Sequence, residues 1–303
     1  MPNRLPKCST LTTLAAAVLA LSGMATTAFG YAGSAGGPNT FTALQAQAEE
    51  ARDTDPLWRT VYQGYTTATL RQPAVLRPAG HPAARPAVLQ RGDTTRKEIA
   101  LTFDDGPHPG YTDQLLNVLH ECHVPATFFV VGEMAERYPE LVRAEIAAGN
   151  TVGNHTYHHI SLIKVNAVDD AAEIAACGDV LQQITGKRPY LFRPPGGQSD
   201  LFSLDAAGAQ GYTTVLWTDD PGDYASPGID AIVQRTLHCA RPGGILLLHD
   251  GIGQTIEALP TIVDALRARG FTFVTVDQML REQKSSHSLS LPRPIAHRTT
   301  AIL

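Results

Sequence analysis

The sequence predicts an α/β fold in which a parallel β-sheet closes into a small, incomplete barrel. Short apolar runs alternate with helix-like stretches between residues 96 and 283. These runs are continuously apolar, which is typical of strands buried on both faces of a parallel sheet. About seven strand–helix units fall within about 190 residues, whereas a full eight-stranded (β/α) barrel typically needs about 250. We therefore expect a barrel that lacks part of the full set of elements.

Seven strands are predicted in this segment, and helical patterns lie between most of them. The predicted strands cover residues 99–103, 126–131, 151–153, 190–192, 213–217, 245–248 and 271–276. The predicted helices cover residues 112–120, 139–148, 168–185, 229–238 and 255–269. Gly149, Gly186 and Gly270 follow three of these helices, and glycine commonly ends a helix by adopting a left-handed conformation.

The first 30 residues have the layout of a secretory signal peptide. Arg4 and Lys7 precede an apolar stretch over residues 11–29, and the small residues Ala28 and Gly30 mark a candidate cleavage position. This layout predicts a protein that is secreted or held in the cell envelope, in the periplasm or the cell wall. The apolar stretch is also long enough to span a bilayer, so an uncleaved N-terminal anchor is the alternative.

The segments on either side of the predicted barrel have a different composition. Residues 31–95 predict a linker with partial helix, since Leu44, Ala48 and Ala51 have helical spacing and four prolines follow between residues 73 and 86. Prolines at this density favour an extended spacer. Residues 284–303 are typical of a flexible tail. The sequence thus predicts one folded domain over residues 96–283.

The charge of this domain excludes nucleic acid as a partner. Residues 96–283 contain 13 Lys and Arg against 24 Asp and Glu, a net charge of −11. A nucleic-acid-binding protein needs a basic surface that neutralises phosphates, and this domain carries the opposite sign. A neutral or cationic substrate suits such a field.

Three cysteines remain if the signal peptide is cleaved: Cys122, Cys177 and Cys239. An odd number allows at most one disulfide and leaves one thiol free. Their spacing is not that of a metal site, so we interpret them as small buried side chains.

Polar clusters follow five of the predicted strands, at the point where each strand ends. They are Asp104-Asp105-Gly106-Pro107, residues 154–159, Arg193-Pro194-Pro195-Gly196-Gly197, residues 219–224 and His249-Asp250-Gly251. Any one of them alone is explained by a polar turn or a core histidine. Because the carboxyl ends of parallel strands meet at one face of a barrel, five such clusters together predict an active site.

The histidines of the second cluster indicate a metal site. His155 and His159 are four residues apart, so on a helical turn they share a face, and His158 is an alternative ligand at three residues from His155. Two imidazoles and one carboxylate form a three-ligand set with an open position, as catalytic zinc sites require. A second carboxylate is then available as general base and a separate histidine as general acid.

In this order, the clusters resemble the motifs of the polysaccharide deacetylases, the carbohydrate esterases of family 4 with a NodB homology domain. The segments that carry the resemblance are Thr102-Phe103-Asp104-Asp105-Gly106-Pro107, His155-Thr156-Tyr157-His158-His159, Arg193-Pro194-Pro195-Gly196-Gly197, Asp220-Pro221-Gly222-Asp223-Tyr224 and Leu247-Leu248-His249-Asp250. The resemblance covers residues 96–283 and implies a distorted, incomplete (β/α) barrel. It also implies hydrolysis of N-acetyl groups on a polysaccharide such as peptidoglycan or chitin, with one divalent ion, Zn²⁺ or alternatively Co²⁺ or another divalent metal.

The resemblance implies a role for each motif residue. Asp105, His155 and His159 would be the metal ligands, Asp104 the general base and Arg193 the residue that orients the base. His249 would be the general acid, Asp223 the residue that orients the acid, the Gly196 backbone N–H an oxyanion donor, and Tyr224 part of the sugar groove. Two positions depart from the family pattern. Gly196 stands where the family often has Tyr, and Tyr224 where it often has Trp, so both departures affect the substrate groove.

Three alternative functions remain open at this point. An esterase that acts on O-acetyl xylan would use the same site, and a glycan-binding protein without catalysis would share the fold. A glycosidase would need its two carboxyl groups about 5 Å or more apart across the scissile bond, and it would leave the histidines without a function. We expect a monomer whose partner is an N-acetylated glycan.

Overall fold

A parallel β-sheet carries the fold. The structure is a computed structural model that describes residues 87–165 and 167–289. The strands are β1 (Val88–Leu89), β2 (Glu98–Asp104), β3 (Thr127–Val130), β4 (Thr151–Asn154), β5 (Leu191–Phe192), β6 (Thr213–Val215), β7 (Gly244–His249) and β8 (Thr272–Phe273). Their order is β1-β6-β5-β4-β3-β2-β7, and β8 pairs with the start of β2. The pairings between these strands are parallel, as predicted.

Helices connect the strands, and most of them cover the outer side of the sheet. They are α1 (Tyr111–Glu121), α2 (Gly132–Arg137), α3 (Pro139–Ala147), α4 (Ala167–Thr185), α5 (Leu201–Ala209), α6 (Ile229–Cys239), α7 (Gly253–Ala268) and α8 (Val276–Leu289). Short 3₁₀ turns lie at Leu162–Lys164, Pro195–Gly197 and Asp223–Ala225. The last two of these turns follow strand ends and belong to the polar clusters described above.

Strand β2 shows how the sheet separates an outer core from an inner one. All seven of its residues are buried. Ile99, Leu101 and Phe103 belong to the large apolar cluster shared with the helices. Ala100, on the opposite face, belongs to a second cluster with residues of β3, β5, β6 and β7. Because side chains alternate along a strand, Asp104 at the end of β2 points to the same inner face as Ala100.

An isolated bridge brings the chain that follows β6 against β7, the strand at one end of the sheet. After β6 the chain crosses towards β7, where Asp219 pairs with Leu246. The Leu247 N–H donates to the Asp219 carbonyl at 2.9 Å, and the Thr218 N–H donates to the Ile245 carbonyl at 2.9 Å. The sheet therefore curves into an open half-barrel, and the predicted incomplete (β/α) barrel is confirmed.

All seven predicted strands and all five predicted helices are present among the described residues, with bounds that shift at the ends. The predicted strand 271–276 is too long, because β8 ends at Phe273 and Val276 already begins α8. Four elements were not predicted from the sequence: the short elements β1 and α2, and also α5 and α8. A signal for α5 was present: Asp200 and Ser203 form a capping box at its start.

The ordered fold extends beyond residues 96–283 on both sides. Strand β1 lies in the segment predicted as a linker, yet Leu89 is buried and β1 pairs with β6. A two-residue strand between Pro86 and Gly92 has no periodicity from which it could be recognised. Helix α8 continues to Leu289, past the predicted domain end.

The predicted signal peptide, most of the predicted linker and residues 290–303 lie outside the described residues. Among the residues that are described, each helix is too short or too polar to span a membrane.

Candidate active site

The two adjacent carboxylates reach the same cavity because the backbone turns sharply between them. Asp104 is the last residue of β2, and Asp105 has a left-handed φ of 74°. In a continuing strand these side chains would point to opposite faces. The left-handed residue turns the chain, so that both carboxylates line one pocket. The next residue, Gly106, has no room for a side chain, because a Cβ at this position would lie 2.5 Å from the Asp250 carboxylate.

The histidine pair lies on an irregular loop and not on a helical turn, so that part of the prediction is wrong. Residues 155–160 contain no helix, and both Thr156 and His159 have left-handed φ values, 66° and 57°. These turns bring the rings of His155 and His159 to a centroid distance of 5.0 Å. The predicted closeness of the two rings is therefore present, but loop geometry produces it.

Asp105, His155 and His159 form the metal-ligand cluster found among the described residues, with their ligand atoms within 4.8 Å of one another. His155 Nδ1 lies 2.7 Å from the Arg193 carbonyl oxygen, which only accepts hydrogen bonds, so the ring proton is on Nδ1. His155 Nε2 lies 3.4 Å from Asp105 Oδ1. Two imidazole nitrogens and one carboxylate oxygen are ligands that a divalent ion such as Zn²⁺ takes, so these residues fit a divalent metal.

The charges around Asp105 favour its ionised form, which is the form that binds a metal. His159 Nε2 lies 3.0 Å from Asp105 Oδ1. Burial by itself would raise the pKa of Asp105, but the positive field of His159 holds that pKa well below its usual value. The third histidine is directed elsewhere: His158 Nδ1 lies 2.9 Å from Glu173 Oε1, and His158 is not part of the cluster.

A buried arginine holds Asp104. Arg193 follows β5, is fully buried and donates from Nη1 to Asp104 Oδ1 at 2.7 Å. The same nitrogen donates to Thr102 Oγ1 at 2.7 Å, and the guanidinium lies 4.1 Å from the centroid of the Phe129 ring. Burial lowers the pKa of Arg193, while the charge of Asp104 opposes this shift. Arg193 therefore fixes the orientation of the Asp104 carboxylate.

A second pair lies on the opposite wall. His249 ends β7, and its Nδ1 lies 2.8 Å from Asp223 Oδ1. Asp223 Oδ2 accepts the His249 backbone N–H at 2.8 Å and the Thr255 hydroxyl at 2.7 Å. Burial lowers the pKa of His249, but the hydrogen bond and the charge of Asp223 outweigh burial and raise the pKa to about 9. Asp223 therefore favours the protonated form of His249.

These groups surround one pocket of about 530 Å³, including its open mouth. Its lining consists of Asp104, Asp105, His155, His159, Gly196, Trp217, Asp220, Tyr224, Leu247 and His249. Most of the predicted site residues are thus brought together, while Arg193 and Asp223 support the lining from behind. The Tyr224 ring meets the His249 ring edge-on at 5.3 Å, and Gly196 has a left-handed φ of 61°.

Sequence reasoning missed three lining residues: Trp217, Asp220 and Leu247. Trp217 packs against Gly197, where a Cβ would lie 2.4 Å from the indole ring. Asp220 is exposed at the pocket, and its Oδ1 accepts the Gly222 N–H at 2.8 Å. Asp220 and Leu247 belong to the motif segments that carry the family resemblance, but no role was assigned to them. Nothing in the local pattern distinguished Trp217 from an ordinary strand residue.

Comparison with known proteins gives consistent matches. The family model described as "Polysaccharide deacetylase" matches residues 91–215. A peptidoglycan-N-acetylglucosamine deacetylase of Bacillus cereus is 42% identical over 195 residues, which cover 61% of this chain and 89% of that protein. A chitooligosaccharide deacetylase of Sinorhizobium fredii is 37% identical over 205 residues, covering 63% of this chain and 95% of that protein.

The solved structures that match this chain include a peptidoglycan deacetylase and other proteins of carbohydrate esterase family 4. The Bc1960 peptidoglycan N-acetylglucosamine deacetylase superposes with a TM-score of 0.62 at 34% identity, covering 64% of this chain and 92% of that one. A family 4 carbohydrate esterase from Streptomyces lividans, solved with acetate, has a TM-score of 0.56 at 35% identity and covers 58% and 91%. A family 4 pseudoenzyme from Bacillus anthracis has a TM-score of 0.62 at 26% identity and covers 64% and 69%.

Proposed function

The chain belongs to the polysaccharide deacetylases, the carbohydrate esterases of family 4, and on that premise we propose that it hydrolyses N-acetyl groups of a polysaccharide of N-acetylated amino sugars and releases acetate. The observation that carries this proposal is the pairing of opposite chemistries across one pocket. A carboxylate held by Arg193 lies on one side, an imidazole protonated through Asp223 lies on the other, and a metal-ligand cluster lies between them.

Asp105, His155 and His159 would hold the metal. When bound there, a divalent ion such as Zn²⁺ polarises the acetamide carbonyl and makes a water molecule more acidic. Asp104 accepts the proton of the attacking water, because Arg193 fixes its Oδ1 and leaves Oδ2 directed towards His155, 3.7 Å from Nε2. The Gly196 N–H donates to the developing oxyanion, and removing one such donor typically costs about 3–4 kcal/mol.

Cleavage of an amide makes a particular demand on the acid. The amine leaves only after its nitrogen is protonated, since an amide anion is far too basic to leave. His249 supplies this proton, and its raised pKa of about 9 keeps it charged at neutral pH while Asp104 remains available as base. Asp223 holds the imidazole in one orientation through Nδ1, so Nε2 donates.

The residues around the mouth of the pocket form the proposed substrate groove. Tyr224 and Trp217 supply aromatic surface on which a sugar ring can pack, and Gly196 leaves space beside them. The relatives named above act on N-acetylglucosamine in peptidoglycan and on chitooligosaccharides. The N-acetylglucosamine unit itself is uncharged, which suits an acidic pocket. We propose such a glycan, with residues 96–283 as the core of the catalytic domain and secretion through residues 1–30.

Acetate release from a panel of glycans tests the proposal. We expect release from N-acetylglucosamine oligomers and from peptidoglycan, and none after Asp105→Ala. Removing the metal with a chelator should abolish release, and adding Zn²⁺ or Co²⁺ should restore it. Release from acetylated xylan alone would identify an O-acetyl esterase, and full activity of the metal-free enzyme would contradict the metal site.

The second candidate is a glycan-binding protein without catalysis, because one structural neighbour is a pseudoenzyme. Such a protein would bind oligosaccharides and release no acetate from any member of the panel. The complete set of base, acid and metal-ligand side chains in the pocket favours the enzyme.

A further inference from the structure

The loop that carries both histidine ligands has little regular structure of its own. Two of its five residues, Thr156 and His159, have left-handed φ values, which non-glycine residues adopt only when the surroundings impose them. The loop must therefore be held by contacts with the rest of the fold. On one side the backbone N–H groups of Gly132 and Glu133, at the start of α2, donate to the Thr156 and Tyr157 carbonyls at 3.0 and 2.9 Å.

On the other side the loop is held by one carboxylate. Glu173, in helix α4, is fully buried, and its Oε2 accepts the backbone N–H groups of Tyr157 at 3.1 Å and His158 at 2.9 Å. Its Oε1 lies 2.9 Å from His158 Nδ1. His158 is itself 2% exposed, so this contact is excluded from water. A buried carboxylate is retained only when donors satisfy it, and here all three donors belong to the ligand loop.

We propose that Glu173 is the positioning residue of the metal site, and that it holds His155 and His159 in place through the backbone of Tyr157 and His158 and through the His158 imidazole. This inference rests on the proposed metal-dependent function. It also gives His158 a role: instead of binding the metal, His158 links the loop to helix α4. Residues that orient metal ligands from behind typically change metal affinity when they are replaced.

Metal binding measures the effect directly. The full-length protein is stripped of metal and titrated with Co²⁺ alone, whose visible absorption reports ligand geometry, and then with Zn²⁺ in competition with a coloured chelator. We expect Glu173→Ala to weaken binding by about tenfold to a hundredfold and to change the Co²⁺ spectrum. Glu173→Gln should lose less, because its amide oxygen still accepts the two backbone N–H groups.

Glu145→Gln is the matched control. Glu145 is also fully buried on a helix, α3, but in the described part of the chain its carboxylate oxygens accept no hydrogen bond, from the loop or from elsewhere. This variant should bind Co²⁺ and Zn²⁺ as the wild type does. All titrations are made at a temperature where circular dichroism shows the variant to be folded. If Glu173→Ala does not fold, Glu173→Gln decides the question alone.

The outcomes are distinguishable. Weaker binding and an altered spectrum in the Glu173 variants, with an unchanged control, support the proposal. Wild-type affinity and spectrum in the Glu173 variants overturn it, even if the melting temperature of the metal-free protein falls, because that result shows a purely structural role. A wild-type protein that binds no Co²⁺ would instead refute the metal site of the proposed function, and this inference with it.

Discussion

Replacing Asp223 by Asn tests how the site keeps its acid protonated. The substitution preserves the shape of the side chain and an oxygen that can accept from His249 Nδ1, now 2.8 Å away, but it removes the negative charge. The pKa of His249, about 9 in the wild type, should then fall towards its ordinary value of about 6.5, because burial still disfavours the charged ring while only the charges of Asp105 and Asp104 still favour it.

The size of the effect follows from these two values. A fall of the pKa from about 9 to about 6.5 corresponds to about 3 kcal/mol of lost preference for the protonated ring. At pH 8 the protonated fraction would fall from about 90% to about 3%, which lowers kcat/KM about thirtyfold through protonation alone. The alkaline limb of the pH–rate profile should therefore move down by up to about 2.5 pH units.

The assay is the initial rate of acetate release from N-acetylglucosamine oligomers by metal-loaded enzyme between pH 6 and pH 10. The metal's own charge is common to both proteins, so the shift between variant and wild type isolates Asp223. Thr255→Val is the control, since it removes a hydrogen bond to Asp223 Oδ2 and leaves the charge in place. An alkaline limb that stays where it is in Asp223→Asn would refute the assignment of His249 as an acid maintained by Asp223.

Three further predictions follow from the structure. Asp104→Asn should lower the rate by about two to four powers of ten and keep its metal, whereas Asp105→Asn should lose metal; elemental analysis showing the reverse would exchange the two roles. A chain that lacks residues 1–86 should fold and remain active, but one that lacks residues 1–94 should melt at a lower temperature because it loses β1, and equal melting curves would disprove this contribution. In the metal-free protein, the raised pKa of His249 adds about 3 kcal/mol at most to the free energy of unfolding below about pH 6.5. This contribution should be lost as the pH rises through about 9. Denaturant titrations that show no such decline would contradict the prediction.

The sequence was sufficient to predict the fold class and most of the strands and helices. Continuous apolar runs between helical patterns predicted the parallel sheet, and they did so because a strand buried on both faces carries its signal in its own residues. The same rule placed Asp104, Arg193 and His249 at strand ends on one face of the barrel, and the structure has them at the ends of β2, β5 and β7. The missed elements were those without a local pattern, such as the two-residue strand β1.

The shapes of the loops were decided only by the tertiary structure. The left-handed turn at Asp105, which brings two adjacent carboxylates into one pocket, has no signature in the residue itself. The loop of His155 and His159 was predicted as a helical turn, whereas in the structure it is an irregular loop with hydrogen bonds to Glu173 of helix α4. Side-chain chemistry and the apolar pattern of a strand are local properties, so the sequence alone indicated most of the groups that meet and the end of the barrel at which they meet. The distances and orientations between those groups depend on contacts between residues remote in sequence, and such contacts exist only in the packed fold.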